Sequence, residues 1–249
     1  MKRILKNERK SVTGLLLSLL LLFSACQHET HSLSEQPDEE DILANAGDLH
    51  NRMISNYYSF RKEPVTDPEN MFSELVDLSS GYLISLGYDA NSIGETRRCL
   101  EQNFGSSFLK STSGGEYALD PSTFMSQLRA TGLYSGDFLG QIDAILQLGF
   151  AREDRKKIRH HVNSSFSGLK FSSKTDRQAQ QLFIKIFNGS YEFWEKYQRS
   201  NLKGAALKDS SWVIINDGIG GLLGLVFGPA GSIITATVFS VGTNEEIKG

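Results

Sequence analysis

Four serines stand three residues ahead of a lysine, at Ser59/Lys62, Ser107/Lys110, Ser167/Lys170 and Ser200/Lys203. That spacing can set an amine beside a serine nucleophile. With 30 serines and 14 lysines in the chain, roughly two such pairs arise by chance, so the pattern is uninformative. No Lys-Thr-Gly partner, Gly-x-Ser-x-Gly elbow or phosphate-binding Gly-Lys-Ser/Thr loop accompanies it. The histidines carry no more. A zinc hydrolase presents two histidines four apart on one helix face, whereas His160 and His161 are adjacent, His28 and His31 lie in a polar stretch, and His50 stands alone. Asp89 to Glu95 imitates the start of a calcium loop but places Ile93 and Leu100 where oxygen ligands belong; it reads as a helix cap. The sequence assigns no catalytic residue, no metal ligand and no cofactor. It leaves enzymatic activity open, with a non-enzymatic role favoured.

Charge narrows the partners. The formal net charge is −3, and removing residues 1–25 takes away five basic side chains and one acidic one, leaving −7. Glu29, Glu35, Asp38, Glu39, Glu40 and Asp41 crowd between Gln27 and Asp41 with no Lys or Arg among them. A phosphate-binding surface needs a basic face, so nucleic acid is not an expected partner. The one basic cluster, Arg152 to His161, reads as a solvated helix face; contact with anionic lipid headgroups is the alternative.

The front of the chain carries an address. Lys2, Arg3, Lys6, Arg9 and Lys10 precede the apolar run Leu15 to Phe23, and Ser24-Ala25-Cys26 follows. This is the order of a secretory signal peptide; the run is too short for a bilayer, which takes about 20 residues. Phe23-Ser24-Ala25-Cys26 resembles the lipobox of bacterial lipoproteins, with Phe23 where that family prefers Leu. The resemblance implies acylation of Cys26, anchoring in the cell envelope, and, from Gln27 rather than Asp after the cysteine, the outer membrane. The acidic residues 26–41 read as a flexible tether. Cys99, the only other cysteine, then has no partner and reads as a buried thiol.

The elements behind the tether are helical by apolar spacing. Ile42, Leu43, Ala46, Leu49, Met53, Ile54 and Tyr57 make one face of a helix from Asp41 to Arg61. Pro68, after Asp67, opens a second, with Gly81 inside it as a close contact or a break. Further helices are predicted over 91–103, 121–131, 135–148, 152–164 and 174–199, and Gly105 to Asp120 reads as a loop. Leu86-Gly87-Tyr88 and Leu148-Gly149-Phe150 read as two helix corners. Leu182, Phe183, Ile186, Phe187, Phe193, Trp194 and Tyr197 form a wide aromatic stripe, read as a core-facing surface.

Two motifs, Gly47-Asp48-Leu49-His50-Asn51 near the start and Asp217-Gly218-Ile219-Gly220-Gly221 running on to Gly228-Pro229-Ala230-Gly231 near the end, resemble a loose set of uncharacterised bacterial lipoproteins and secreted proteins. The set implies an address and no mechanism. His50 and Asn51 read as a hydrogen-bonded core pair. From Gly218 to Val241 there are 24 uncharged residues, long enough to cross a bilayer as one helix, but Gly228-Pro229 divides the stretch into a hairpin of helices at 212–227 and 230–241. Gly220, Gly224 and Gly228 recur every fourth residue and would line one side of the first helix, either for close helix packing or facing lipid.

The expectation is therefore an all-α protein, an irregular multi-helix bundle with a C-terminal Gly-rich helical hairpin. Its parts are a lipoprotein signal peptide (1–25), an acidic tether (26–41), a helical domain (42–206) and the apolar hairpin (207–249) packed on that domain. The expected role is a lipid-anchored envelope protein that binds or scaffolds a protein partner; the alternative is a membrane-active, bacteriocin-like protein whose hairpin enters lipid.

Overall fold

A computed structural model describes residues 37–60, 68–109, 121–151, 153–201 and 210–248. The signal peptide, Cys26 and most of the tether lie outside the described residues. The fold is all-α, with no strand among the described residues.

Two short N-terminal helices, α1 (Pro37–Ala44) and α2 (Ala46–Phe60), are separated by a turn at Asn45. Asn45 donates from Nδ2 to the Asp41 carbonyl and to Asp41 Oδ1, at 3.0 and 2.8 Å. Residues 37–41 are thus helical, which shortens the expected tether from its C-terminal side. Helix α2 buries Ala46, Leu49, His50, Met53, Ile54 and Tyr57 on one face, the i, i+3, i+4, i+7 set that a 3.6-residue period aligns.

Helix α3 (Pro68–Ser85) runs straight through Gly81, around which a Cβ would meet open space. It ends in a Schellman turn: Gly87 takes φ +93°, its N–H donates to the Ile84 carbonyl, and the Tyr88 N–H donates to Leu83. Asp89 Oδ2 then accepts the Ser92 N–H at 2.7 Å and opens α4 (Ala90–Leu109). Residues 105–109 continue that helix, so the expected loop begins later than its composition suggested. Cys99 on α4 is half-buried, because only one edge of the helix at that level faces the core.

Helices α5 (Pro121–Ala130), α6 (Gly136–Phe150) and α7 (Arg155–His160) follow. Ser135 caps α6 by accepting the Phe138 N–H, and Asp154 caps α7 by accepting the Lys156 N–H. The second expected corner differs from the first. Gly149 stays inside α6, and its missing Cβ admits Ile215 and Trp212 of a neighbouring helix. The helix expected over 152–164 is also reshaped: after α7 the chain widens into a π-helical turn, His161–Phe166.

Helix α8 (Lys174–Asn201) has 28 residues, about 42 Å at 1.5 Å per residue. Its stripe buries Ala179, Leu182, Phe183, Ile186, Phe187, Ser190 and Trp194. Against it lies the hairpin: α9 (Ser210–Gly224), a 3₁₀ turn (Leu225–Phe227) and α10 (Gly228–Lys248). Helix α9 packs on α8, α6 and α10, while α10 also meets α2 and α3. The hairpin is the centre of the fold. Nearly every described side chain from 211 to 243 is buried, and helices that are apolar on all sides require cover on all sides.

Candidate functional site

One fully buried carboxylate lies in the wall of this hairpin. Asp217 on α9 accepts two hydroxyl hydrogen bonds at Oδ2, from Ser190 of α8 at 2.5 Å and from Ser240 of α10 at 2.7 Å. Trp194, one turn along α8 from Ser190, donates from its indole nitrogen to Ser240 Oγ at 3.2 Å. His50 of α2 brings Nε2 to 3.6 Å from the same Oδ2, and both side chains have 0% exposure. Four helices meet at one carboxyl oxygen.

The motif around His50 explains how α2 reaches it. Gly47, three residues earlier on the same helix, touches Gly189 of α8 backbone to backbone: a Cβ on Gly189 would lie 2.8 Å from the Gly47 Cα. Asn51 donates from Nδ2 to the Gly189 carbonyl at 2.9 Å. That fixes its amide so that Oδ1 faces His50 Nδ1, 3.2 Å away. Gly47 permits the crossing, Asn51 registers it, and His50 is carried into the core beside Asp217. The expected His50/Asn51 pair is therefore one edge of a larger cluster. The two sequence motifs, Gly47 to Asn51 and the segment opening at Asp217, meet in space.

Burial governs the electrostatics. It holds the His50 imidazole down at about 4, against the opposing effect of hydrogen bonds to Asn51 and to the Ala236 carbonyl. It pushes the Asp217 carboxyl up to about 8, although Ser190, Ser240 and Trp194 favour the anion. The 3.6 Å contact is within ion-pair range, yet desolvation outweighs the acceptors around His50 and the donors around Asp217. Both shifts run toward uncharged forms.

The glycines divide into three kinds. Gly220 and Gly224 face α10: a Cβ on Gly220 would lie 2.9 Å from the Phe239 ring, and one on Gly224 would strike the Gly231 backbone. Gly218 and Gly221 face α8 instead, where added Cβ atoms would lie 2.6 Å from Phe183 and 2.5 Å from Ile186. Gly228 breaks the expected fourfold series. A Cβ there would meet open space, and its role is conformational: φ +81° and ψ 178° are a region only glycine occupies without strain. It forms the corner, with Pro229 in the first turn of α10.

The other sequence candidates scatter. Ser59 and Ser167 donate their hydroxyls to the Asn56 and Asn163 carbonyls; at least one member of each remaining Ser-x-x-Lys pair lies outside the residues whose side chains are described. Among the described residues no group of three or more His, Cys, Asp or Glu could hold a metal. Within the 152–161 cluster, Lys157 pairs with Glu153 and Arg159 with Glu192, while Arg155 and Arg159 stand over the Tyr191 ring at 5.6 and 4.3 Å. Arg155, Lys157 and Arg159 thus face acids and an aromatic of the same fold.

Ser190, Trp194 and Ser240 are the members of the cluster that sequence reasoning missed. Ser190 follows Gly189 inside an aromatic stripe, and Ser240 sits among apolar residues, so neither has a local signal. Chemically, both serines donate to the carboxylate and neither donates to the histidine. A serine nucleophile needs the reverse, with the hydroxyl proton directed at the imidazole. The cluster joins four helices through one carboxyl oxygen. Comparison with family models, curated proteins and solved structures finds no match for this chain.

Proposed function

We propose that this is a lipid-anchored protein of the bacterial cell envelope, held at the outer membrane through an acylated Cys26, whose helical domain binds or scaffolds a protein partner while the hairpin serves as its core. The address rests on the basic start, the apolar run and Ser24-Ala25-Cys26. The observation that carries the role of the hairpin is the closure of its glycine faces by Phe183, Ile186, Phe239 and Gly231 of the same chain. A stretch designed to lie in lipid would have no use for these matched contacts.

The membrane-active reading keeps one supporting observation: Ser211–Thr243 is long and apolar enough to cross a membrane, with Asp217 its only charged residue. Against it, α9 has 15 residues, short of the roughly 20 that a spanning helix needs. Two measurements separate the readings. Feeding cells a fatty-acid analogue should label the wild-type protein and leave Cys26→Ala unlabelled; an unlabelled wild type, or a labelled variant, defeats the anchor. Liposomes loaded with dye should stay sealed when the purified full chain is added, and leakage would favour insertion of the hairpin.

A further inference from the structure

The surroundings of the His50 ring are one-sided. Its recorded neighbours are Asn51 Oδ1, the Ala236 carbonyl and the Asp217 carboxyl oxygen. The Asn51 amide cannot turn round to offer a donor, because its nitrogen is engaged by the Gly189 carbonyl. All three neighbours are oxygens that accept. A neutral imidazole has one N–H and one bare lone pair, and a bare lone pair among acceptors beside an ionised carboxylate would bury a net negative charge with nothing to offset it.

We infer that His50 and Asp217 together form a buried binding site for one proton, occupied at neutral pH while the hairpin is packed between α2 and α8. The proton sits on the carboxyl and is offered to the ring, or sits on the ring with the carboxylate as its counter-ion. Either arrangement leaves the pair neutral as a unit, and the site is counted as one proton shared by two groups. The groups facing the carboxyl are the Ser190 hydroxyl and Trp194 indole from α8, the Ser240 hydroxyl from α10 and the ring from α2. The groups facing the ring are Asn51 and the Ala236 carbonyl. None of these bears a charge, so nothing but the proton neutralises the pair.

The site links the seating of the hairpin to the proton concentration outside. An unfolded Asp carboxyl has released its proton by neutral pH, so unpacking the hairpin must set the shared proton free, and alkaline solution must favour unpacking. Asp217 is the only ionisable side chain between Ser211 and Thr243, which makes it the single point where charge can act on this apolar element.

The test is proton release on unfolding the purified full chain in urea, measured at pH 7.5 with an indicator dye. The wild type should release about one proton more than Asp217→Asn, whose amide N–H replaces the shared proton permanently. Equal release by the two proteins would overturn the site. Should the variant fail to fold, the ring nitrogen signals of wild-type His50 decide. Between pH 5 and 7.5 they should show either two N–H groups or one N–H with the second nitrogen accepting a hydrogen bond, and a free, unbonded nitrogen would overturn the inference.

Discussion

Gly47 and Gly189 bring α2 and α8 into backbone contact, with the Gly189 Cβ position only 2.8 Å from the Gly47 Cα. Neither backbone can yield without separating the helices. Gly189→Ala should therefore cost about 1–3 kcal/mol, the range for overpacking a filled core. It should also lengthen the Asn51–Gly189 hydrogen bond and draw His50 away from Asp217. Urea unfolding measures the first effect, and amide exchange along α2 reads the second.

Gly228 and Gly81 form a natural pair of controls. Gly228→Ala places a Cβ in open space but forces alanine to φ +81°, a strain of about 1–3 kcal/mol. Gly81 has open space and lies within α3 without a positive φ, so Gly81→Ala should stabilise by about 0.5–1 kcal/mol through helix preference and a less free unfolded chain. Thermal midpoints moving in opposite directions are the expected result.

Tyr134 supplies a second buried tie to the hairpin. Its hydroxyl donates to the Leu222 carbonyl at 2.5 Å, in the last turn of α9 before the 3₁₀ turn. Burial raises the phenol far above its usual range, and the Asp176 charge adds to the shift, so the hydroxyl remains a donor at any physiological pH. Tyr134→Phe should lose about 1–3 kcal/mol, the cost of an unpaired buried acceptor, measurable as a lower urea midpoint with an unchanged slope.

The pH dependence of stability follows from two opposed shifts. Asp217, raised from 3.8 to about 8, contributes stability that is complete below 3.8 and is lost as pH climbs to about 8. His50, lowered from 6.5 to about 4, contributes stability that is complete above 6.5 and is lost as pH falls to about 4. Between about 4 and 6.5 the two slopes cancel, so the pair adds a level region there and a decline from 6.5 to 8. Asp217→Asn removes the alkaline decline and unmasks the acid one: its stability should fall from pH 6.5 toward 4 where the wild type holds. Unfolding midpoints of both proteins across pH 4–9 check the pattern.

Much of the fold is visible in apolar spacing, because helices are built from local contacts. The face from Ala46 to Tyr57 and the stripe from Leu182 to Trp194 are readable three and four residues at a time. Boundaries are less so: nothing in Gly149 distinguishes it from Gly87 until Ile215 and Trp212 are seen to occupy the space beside it. The cluster was half legible. His50 and Asn51 stand out as polar residues on an apolar face, but their partners depend on α2, α8, α9 and α10 meeting, and Ser190 and Ser240 look like ordinary small helix residues until they do. The second glycine face, Gly218 and Gly221, was hidden for the same reason: every-fourth-residue spacing draws the eye to Gly220 and Gly224, and only the position of Phe183 and Ile186 reveals the other side.

The bond between Thr237 and Met53 joins residues 184 positions apart, and the His50–Asp217 contact spans nearly as far. Helices α2 and α8 therefore wait for partners that follow them in the chain. Until α9 and α10 have been made, His50 has no carboxyl to face and the stripe on α8 is covered only in part, by α2 and the π-helical turn. A fold whose keystone follows the helices it joins can close its core only after every one of them has been made.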